Sequence, residues 1–416
     1  MLIALLFSTF GPYHVARLAS TRSIAKVVGV QLEARSSEYS WEEDSVQGVV
    51  TLFSETRCLS KKAINEGVFA ALNRLRPDTV AVPGWYGTFA LAALRWALIW
   101  RRPAVLLSDS QKLDAPRRFW REWVKSRIIS RYSTALVGGT RHVDYLSDLG
   151  MARDRIFLGY DAVDNDYFQK KTEEVRSHKL EVRKRYGLPE NYFLASARFI
   201  EKKNLPGLLR AYADYRELAC NSAFRTAHSE PWDLVLLGDG PLRETLDSQL
   251  STLNLREHVL MPGFKQYSDL PAYYGLAAAF VHASTTEQWG LVVNEAMASG
   301  LPVLVSNRCG CVTELVREGV NGFTFDPRDV EGLAKLMFRI STLSTPQLSN
   351  MRIESQRIIG EWGPRHFADG LKAAADMALN LGPPVSNRLS LSILAALGGR
   401  LRSVLTDSKP AMGQPS

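Results

Sequence analysis

No uninterrupted apolar run of the roughly 18 residues that a membrane-spanning helix requires occurs in the 416-residue sequence. The chain is therefore not expected to cross a membrane. The apolar stretch Met1 to Phe7 has no basic segment before it and no small-residue cleavage site after it, so it is expected to be a buried strand rather than a secretory signal. Cysteine is scarce: the four residues Cys58, Cys220, Cys309 and Cys311 lack the spacing of a disulfide framework. That usage suits a reducing compartment, and a cytoplasmic location is expected. Cys309 and Cys311 have no second Cys or His pair at zinc-site spacing, and they are read as ordinary loop residues. Acidic residues are in the minority, 43 against 51 basic, and the net charge of +8 favours anionic partners such as phosphates, nucleic acid or acidic lipid heads.

Hydrophobic residues make up 46% and charged residues 23%, the balance of a globular protein, and the length suits two domains. Short apolar runs alternate with longer helical patterns, the signature of parallel sheets with crossover helices. The fold class is α/β. Strands are expected near Leu2 to Phe7, Val27 to Val30, Val49 to Phe53, Thr79 to Val82, Val105 to Leu107, Ala135 to Val137 and Ile156 to Leu158. A polar stretch, Gln169 to Pro189, follows as the candidate linker. A second series runs through Phe193 to Ala195, Leu234 to Leu237, Val259 to Met261, Ala278 to Val281, Pro302 to Val305 and Gly322 to Phe325. The domains are thus 1–189, including the linker 169–189, and 190–360. A helix at 361–380 and a tail at 381–416 follow; the tail is rich in Pro, Ser, Gly and Ala, and Lys409 to Ser416 is expected to be disordered. Two doubly wound domains in tandem leave a cleft between the carboxyl ends of their sheets, where such folds bind ligands.

The segment from Glu287 to Glu295 reads as a loop that opens a helix at Gly290, followed by a turn and a strand. Free backbone amides and the positive dipole end make the start of that helix, at Gly290, Leu291 and Val292, an anion site. Gly290 lets a phosphate approach, Glu295 is placed to accept hydrogen bonds from ribose hydroxyls, and Glu287 faces the expected sugar position. A lone glutamate pair at this spacing would ordinarily be solvated helix charge. Other segments favour a site. Arg198 and Lys203 follow the first strand of the second domain; a planar fork and a compact charge there suit a diphosphate without a metal. Gly238 and Gly240, in Leu237-Gly-Asp-Gly-Pro241, form a turn that lets a helix begin close to a ligand. From the first domain, Phe7-Ser-Thr-Phe-Gly11-Pro-Tyr-His14 is a loop opening a helix towards the same cleft, with Gly11 near the leaving phosphate and His14 a candidate hydrogen-bonding group.

Together these segments resemble the retaining GT-B glycosyltransferases of the large group called family 4, and the likeness covers most of the chain. It is strongest from Ala195 to Pro327: Ala197-Arg198-Phe199 with Glu201 to Asn204, the Gly238 to Pro241 turn, Pro262-Gly263-Phe264, the Glu287 to Glu295 spacing, Glu314-Leu315-Val316 and Asn321-Gly322-Phe323. Val163-Asp164 with Phe168 is similar to the family's segment closing the first domain. The resemblance implies two Rossmann-like domains facing across a cleft, with the helix near Phe367 to Leu379 crossing back to the first. It implies that Arg198 and Lys203 hold the donor diphosphate, Glu295 the ribose, and Glu287 with the amides after it the sugar and phosphate. It also implies transfer with retention and no essential metal or resident cofactor, the nucleotide diphosphate sugar being the co-substrate. The acidic run Asp164-Asn165-Asp166 is read as a domain-closing loop without metal. Many relatives carry a His where this chain has Leu107-Ser108-Asp109-Ser110, and Asp109 is the candidate in its place.

Pro116 to Tyr132 has six basic residues, one acid and apolar positions at helical spacing. One reading is a basic amphipathic helix on an anionic membrane, where a lipid-linked acceptor would lie. The other packs Phe119, Trp120, Trp123 and Ile128 on the sheet. The rival functions are a nucleotide-sugar epimerase of the same architecture, a basic nucleic-acid binder, for which no recognised motif is present, and a transferase that has lost activity.

Overall fold

The computed structural model describes residues 1–34, 47–54, 59–221, 230–384 and 388–398. Cys58 and the Lys409 to Ser416 segment lie outside the described residues. Among the described residues thirteen strands form two all-parallel sheets. The first holds β1 (Leu2–Phe7), β2 (Lys26–Glu33), β3 (Val49–Phe53), β4 (Thr79–Pro83), β5 (Ala104–Ser108), β6 (Thr134–Val137) and β7 (Ile156–Leu158), in the order β3-β2-β1-β4-β5-β6-β7. The second holds β8 (Tyr192–Ser196), β9 (Asp233–Leu237), β10 (Val259–Gly263), β11 (Ala279–His282), β12 (Val303–Ser306) and β13 (Gly322–Phe325), in the order β10-β9-β8-β11-β12-β13. Each expected strand is present, with bounds within three residues of those expected.

The central strands are apolar without alternation because helices cover both faces. All of β5, Ala-Val-Leu-Leu-Ser, and all of β12, Val-Leu-Val-Ser, are buried. In both sheets the order reverses beside the first strand, β1 or β8, so the chain ends of β1, β4, β8 and β11 flank the crevices where α/β folds bind ligands. The carboxyl ends of the two sheets meet across one cleft.

The helix Pro364–Leu381 crosses back to the first domain. Phe367, Ala368, Leu371, Ala374, Ala375 and Ala378 form its buried stripe. The small alanines let it lie close to β5, β6 and β7 and to the helix Pro12–Arg22. Thr134 Oγ1 in β6 donates 2.9 Å to the Ala374 carbonyl, a further tie between strand and helix.

Two stretches carry helices that the sequence reading did not name. The stretch expected to be a linker forms two helices, Asn165–Ser177 and Lys179–Tyr186. The first packs on the second domain's helices Leu270–Leu276 and Leu291–Ala298. It reads as linker because Phe168 and Thr172 are its buried side chains and the rest is mixed surface charge. Asp164 closes the preceding loop by accepting 3.0 Å from the Tyr167 amide, a helix cap. Second, the tail carries a helix, Arg388–Gly398, whose Leu394 is buried and whose last carbonyl accepts 2.8 Å from Asn65 Nδ2.

Candidate functional site

The second-domain side of the cleft is built around two glutamates eight residues apart. Glu287 lies in the loop after β11, and Glu295 in the short helix Leu291–Ala298. Both are buried. Gly290 caps that helix at φ +108°, a left-handed conformation that glycine adopts without strain. Its open side has room, since an added Cβ would meet nothing nearer than 3.6 Å. The conformation, more than the space, requires glycine here.

Glu287 is held by cations. Lys203 Nζ donates to its Oε2, Lys202 Nζ lies 3.5 Å from Oε1, and His282 Nε2, at the end of β11, lies 3.5 Å from Oε2. Ser284 Oγ adds a bond of 3.3 Å. Burial alone would raise the carboxyl's pKa; the His282 hydrogen bond and the charges of Lys203 and Lys202 outweigh it and hold the group far below the ordinary range. The lysines arrive there because Glu201–Lys203 forms one tight turn that ends at Asn204 in a left-handed conformation, φ 53°, anchored by Asn204 Nδ2 to the Pro327 carbonyl at 2.8 Å. Arg198 is partly exposed on the same loop, between β8 and that turn.

Among the described residues Glu295 forms no ion pair. Tyr274 donates 2.6 Å to Oε2 and Tyr13, reaching over from the first domain, donates to Oε1. Burial dominates and pushes the carboxyl up to about 7, against the lowering effect of the two phenol bonds.

Gly238 and Gly240 also serve the packing of their loop. At Gly238 a Cβ would stand 1.8 Å from the Ala197 carbonyl oxygen, and at Gly240 2.8 Å from that of Phe199. The two glycines let the loop after β9 lie against the Arg198 loop, which they position from behind.

The first domain contributes side chains from the ends of β1, β5, β6 and β7. Gly11 caps the helix Pro12–Arg22 in an extended conformation. His14 is packed at 4.2 Å from the Phe7 ring, and burial, with Arg17 nearby, lowers its pKa to about 3, so the imidazole is neutral. Asp109 accepts 3.1 Å from Gln288 Nε2 of the second domain, and burial raises its pKa. Gln111 donates 2.6 Å to the Glu287 carbonyl, and His142 Nε2 lies 3.0 Å from the Gln288 carbonyl. The Thr140 amide donates 2.6 Å to Glu314. Asp161 is buried beside this cluster, and its carboxyl is pushed well above the ordinary range by burial and by Asp109.

The expected donor residues therefore converge on one cleft: Arg198, Lys203, Glu287, Gly290, Leu291, Val292 and Glu295 lie on adjoining loops and one helix. Lys202, His282, Tyr13 and Tyr274 were not expected there. Lys202 was overlooked beside Lys203, and Tyr13 beside His14. Tyr274 and His282 carried no local signal, because the topology alone brings them to the glutamates.

Residues 179–357 match the model of the family described as glycosyl transferases group 1, and the chain is similar to the GT-B glycosyltransferases. Among curated relatives it is similar to the alpha-monoglucosyldiacylglycerol synthase of Acholeplasma laidlawii, 30% identical over 34% of this chain and 34% of that protein. It is also similar to the GDP-mannose-dependent alpha-(1-6)-phosphatidylinositol monomannoside mannosyltransferase of Mycolicibacterium smegmatis, 31% identical over 36% of this chain and 39% of that one. The match to the sulfoquinovosyl transferase of Arabidopsis thaliana is 29% identical over 65% of this chain and 51% of that one. The matched stretches thus span between about a third and a half of these relatives. Solved structures share the fold over the whole architecture. A glycosyltransferase from Rickettsia africae superposes with a TM-score of 0.69 at 13% identity, covering 90% of this chain and 98% of that one. A protein from Anabaena in complex with UDP and glucose gives 0.66 at 19% identity, covering 89% and 98%.

Proposed function

We propose that the protein transfers a sugar from a nucleotide diphosphate sugar to an acceptor hydroxyl, with retention at the anomeric carbon and without an essential metal or resident cofactor. The observation that carries this reading is the buried Glu287 with Lys203 and Lys202 on its oxygens, set before the helix that bears Glu295. Arg198 and Lys203 take the donor diphosphate, the amides of Leu291 and Val292 its oxygens, and Glu287 the sugar hydroxyls. As the bond from the anomeric carbon to the diphosphate oxygen breaks, these cations and amides stabilise the negative charge that develops on the leaving group. The acceptor oxygen attacks the face that the leaving group vacates, and its proton passes to a phosphate oxygen of the departing nucleoside diphosphate. The UDP and glucose of the Anabaena structure support the donor class.

The acceptor side of the reading is the polar cluster of Asp109, Asp161 and Gln111. Two carboxyl groups there favour a neutral hydroxyl over an anion. Several curated relatives are named for lipid acceptors, and a lipid-linked acceptor at an anionic membrane fits the helix Phe119–Ile129. Phe119, Trp120 and Trp123 are 88%, 59% and 47% exposed, whereas Ile128 packs inward. The one acid of the segment, Glu122, is bound by Lys125, Arg117 and Tyr145, so basic residues outnumber it on this helix. Among the described residues no helix is long and apolar enough to cross a membrane, so attachment would be peripheral. Flotation with anionic vesicles at low salt should carry the protein upward, and W120S/W123S should leave it at the bottom. A wild-type protein that stays at the bottom would remove the membrane part of the reading.

The donor site is tested by calorimetry with UDP, GDP and ADP in EDTA. One nucleotide should bind, and Glu295→Ala and Arg198→Ala should each weaken it. No binding to any of the three by a folded sample would remove the reading.

A further inference from the structure

Glu295 has two carboxylate oxygens, and a tyrosine hydroxyl donates to each. The two tyrosines differ in where they come from. Tyr274 sits on Leu270–Leu276, in the same domain as Glu295, and is wholly buried. Tyr13 comes from the first turn of Pro12–Arg22, in the opposite domain, and its ring meets the edge of Tyr267 with centroids 5.8 Å apart. Burial and the charge of Glu295 push the Tyr13 phenol far above its ordinary range, so at neutral pH it remains a donor. A ribose presents two adjacent hydroxyls, and to bring both to this carboxylate it must approach from the interdomain side, along which Tyr13 reaches Oε1.

We infer that Tyr13 is a stand-in for a ribose hydroxyl: it reaches across the domains to Glu295 along the path a ribose would take, and a donor nucleotide displaces it on binding. The inference rests on the proposed role of Glu295 in holding the donor ribose. Tyr274 cannot yield, because it is enclosed in its own domain, where its hydroxyl also bonds Ser196 and has no path to water. Tyr13 can, because a small separation of the domains or a turn of its side chain returns its hydroxyl to the water of the cleft. Every nucleotide with a complete ribose therefore binds against this contact, and its apparent affinity is lowered by the fraction of molecules in which Tyr13 is seated. A nucleotide that lacks one ribose hydroxyl leaves Tyr13 less reason to move. Tyr13 thus sets how strongly a ribonucleotide is preferred over its 2′-deoxy form, and it ties donor entry to the contact between domains.

The test is calorimetry on the full chain with the nucleoside diphosphate that the wild type binds and its 2′-deoxy form, comparing wild type with Tyr13→Phe. Loss of a competing hydrogen bond to a charged group is expected to tighten the ribonucleotide roughly tenfold. The gain for the 2′-deoxy ligand should be smaller. An unchanged or weaker ribonucleotide affinity in Tyr13→Phe, with a wild type that binds and a Glu295→Ala variant that does not, overturns the inference and leaves the donor reading intact. Absence of nucleotide binding in wild type and Tyr13→Phe alike overturns both. Tyr13→Leu serves as a second variant, and circular dichroism checks that each is folded.

Discussion

Glu287 and Glu295 stand eight residues apart on one loop and helix, both buried, and their surroundings drive them in opposite directions. Glu287 is surrounded by amines and an imidazole and stays ionised far into the acid range. Glu295 is surrounded by phenols and titrates near neutrality, at about 7. Burial acts alike on both; what separates them is whether a full positive charge shares the pocket. An ionised carboxylate locked to lysines is fitted to organise cations around a diphosphate. A carboxylate fed only by neutral hydroxyls is fitted to exchange those hydroxyls for others, such as those of a ribose. The difference comes from which loops reach each position: the Glu201–Lys203 turn reaches the first, and Leu270–Leu276 with the first-domain helix Pro12–Arg22 reaches the second.

The largest effect should follow from removing the cation at Glu287. Lys203→Met leaves a buried carboxylate short of its nearest partner, and the variant should lose about 3 kcal/mol in urea unfolding. Its turnover should fall at least about 100-fold, because one stabilising group at the leaving diphosphate is gone. The double variant K203M/E287Q should recover most of the stability and none of the activity. A double variant as unstable as Lys203→Met would show that Lys203 supports the fold by packing rather than by charge.

This contrast explains what the sequence could reveal. The parallel strands were legible because helices cover both of their faces, so β5 and β12 read as unbroken apolar runs. The donor loops were legible because their chemistry is local: Arg198 and Lys203 fall within one loop, and Gly290 sits at a helix start. Glu287 and Glu295 looked alike for the same reason, since local spacing says nothing of a pocket's charge. Tyr13 and Glu295 are separated by 282 positions, and only the packing of two domains brings them together. Gly238 was recognised, but its cause was not, because the Ala197 carbonyl that excludes a Cβ belongs to another loop. The helix Asn165–Ser177 went unrecognised within the expected linker because so few of its side chains are buried.

A second way to sharpen the comparison is the pH dependence of stability. The Glu287 carboxyl titrates lower folded than unfolded, so its contribution is present above about pH 4.5 and lost as pH falls below that. The Glu295 carboxyl is raised from 4.5 to about 7, so its contribution is present below pH 4.5 and lost as pH rises through 7. At pH 8 the cost of its ionised form should reach on the order of 3 kcal/mol. Urea unfolding from pH 4 to pH 8 should therefore show Glu295→Gln gaining on the wild type as pH rises, and Glu287→Gln losing ground between pH 4 and pH 6. Parallel curves for the two variants would mean that the two pockets do not differ in charge as described.

The smallest expected effect separates the two tyrosines on Glu295. Tyr274→Phe removes the bond to Oε2, which no ligand needs to displace, so its loss costs stability and weakens the seating of the carboxylate. Unfolding should register about 1 to 2 kcal/mol. Nucleotide affinity should fall about fivefold, since a less firmly held carboxylate loses part of its preorganisation. Its pH midpoint should also move upward, because one of the bonds that favour the ionised form is gone. Tyr13→Phe is expected to move affinity the other way while removing an equivalent bond from the same group. Opposite signs would establish that the domain from which a hydroxyl comes, and not the bond it makes, decides whether it supports the site or competes for it. Equal falls in affinity would place both tyrosines in one supporting shell.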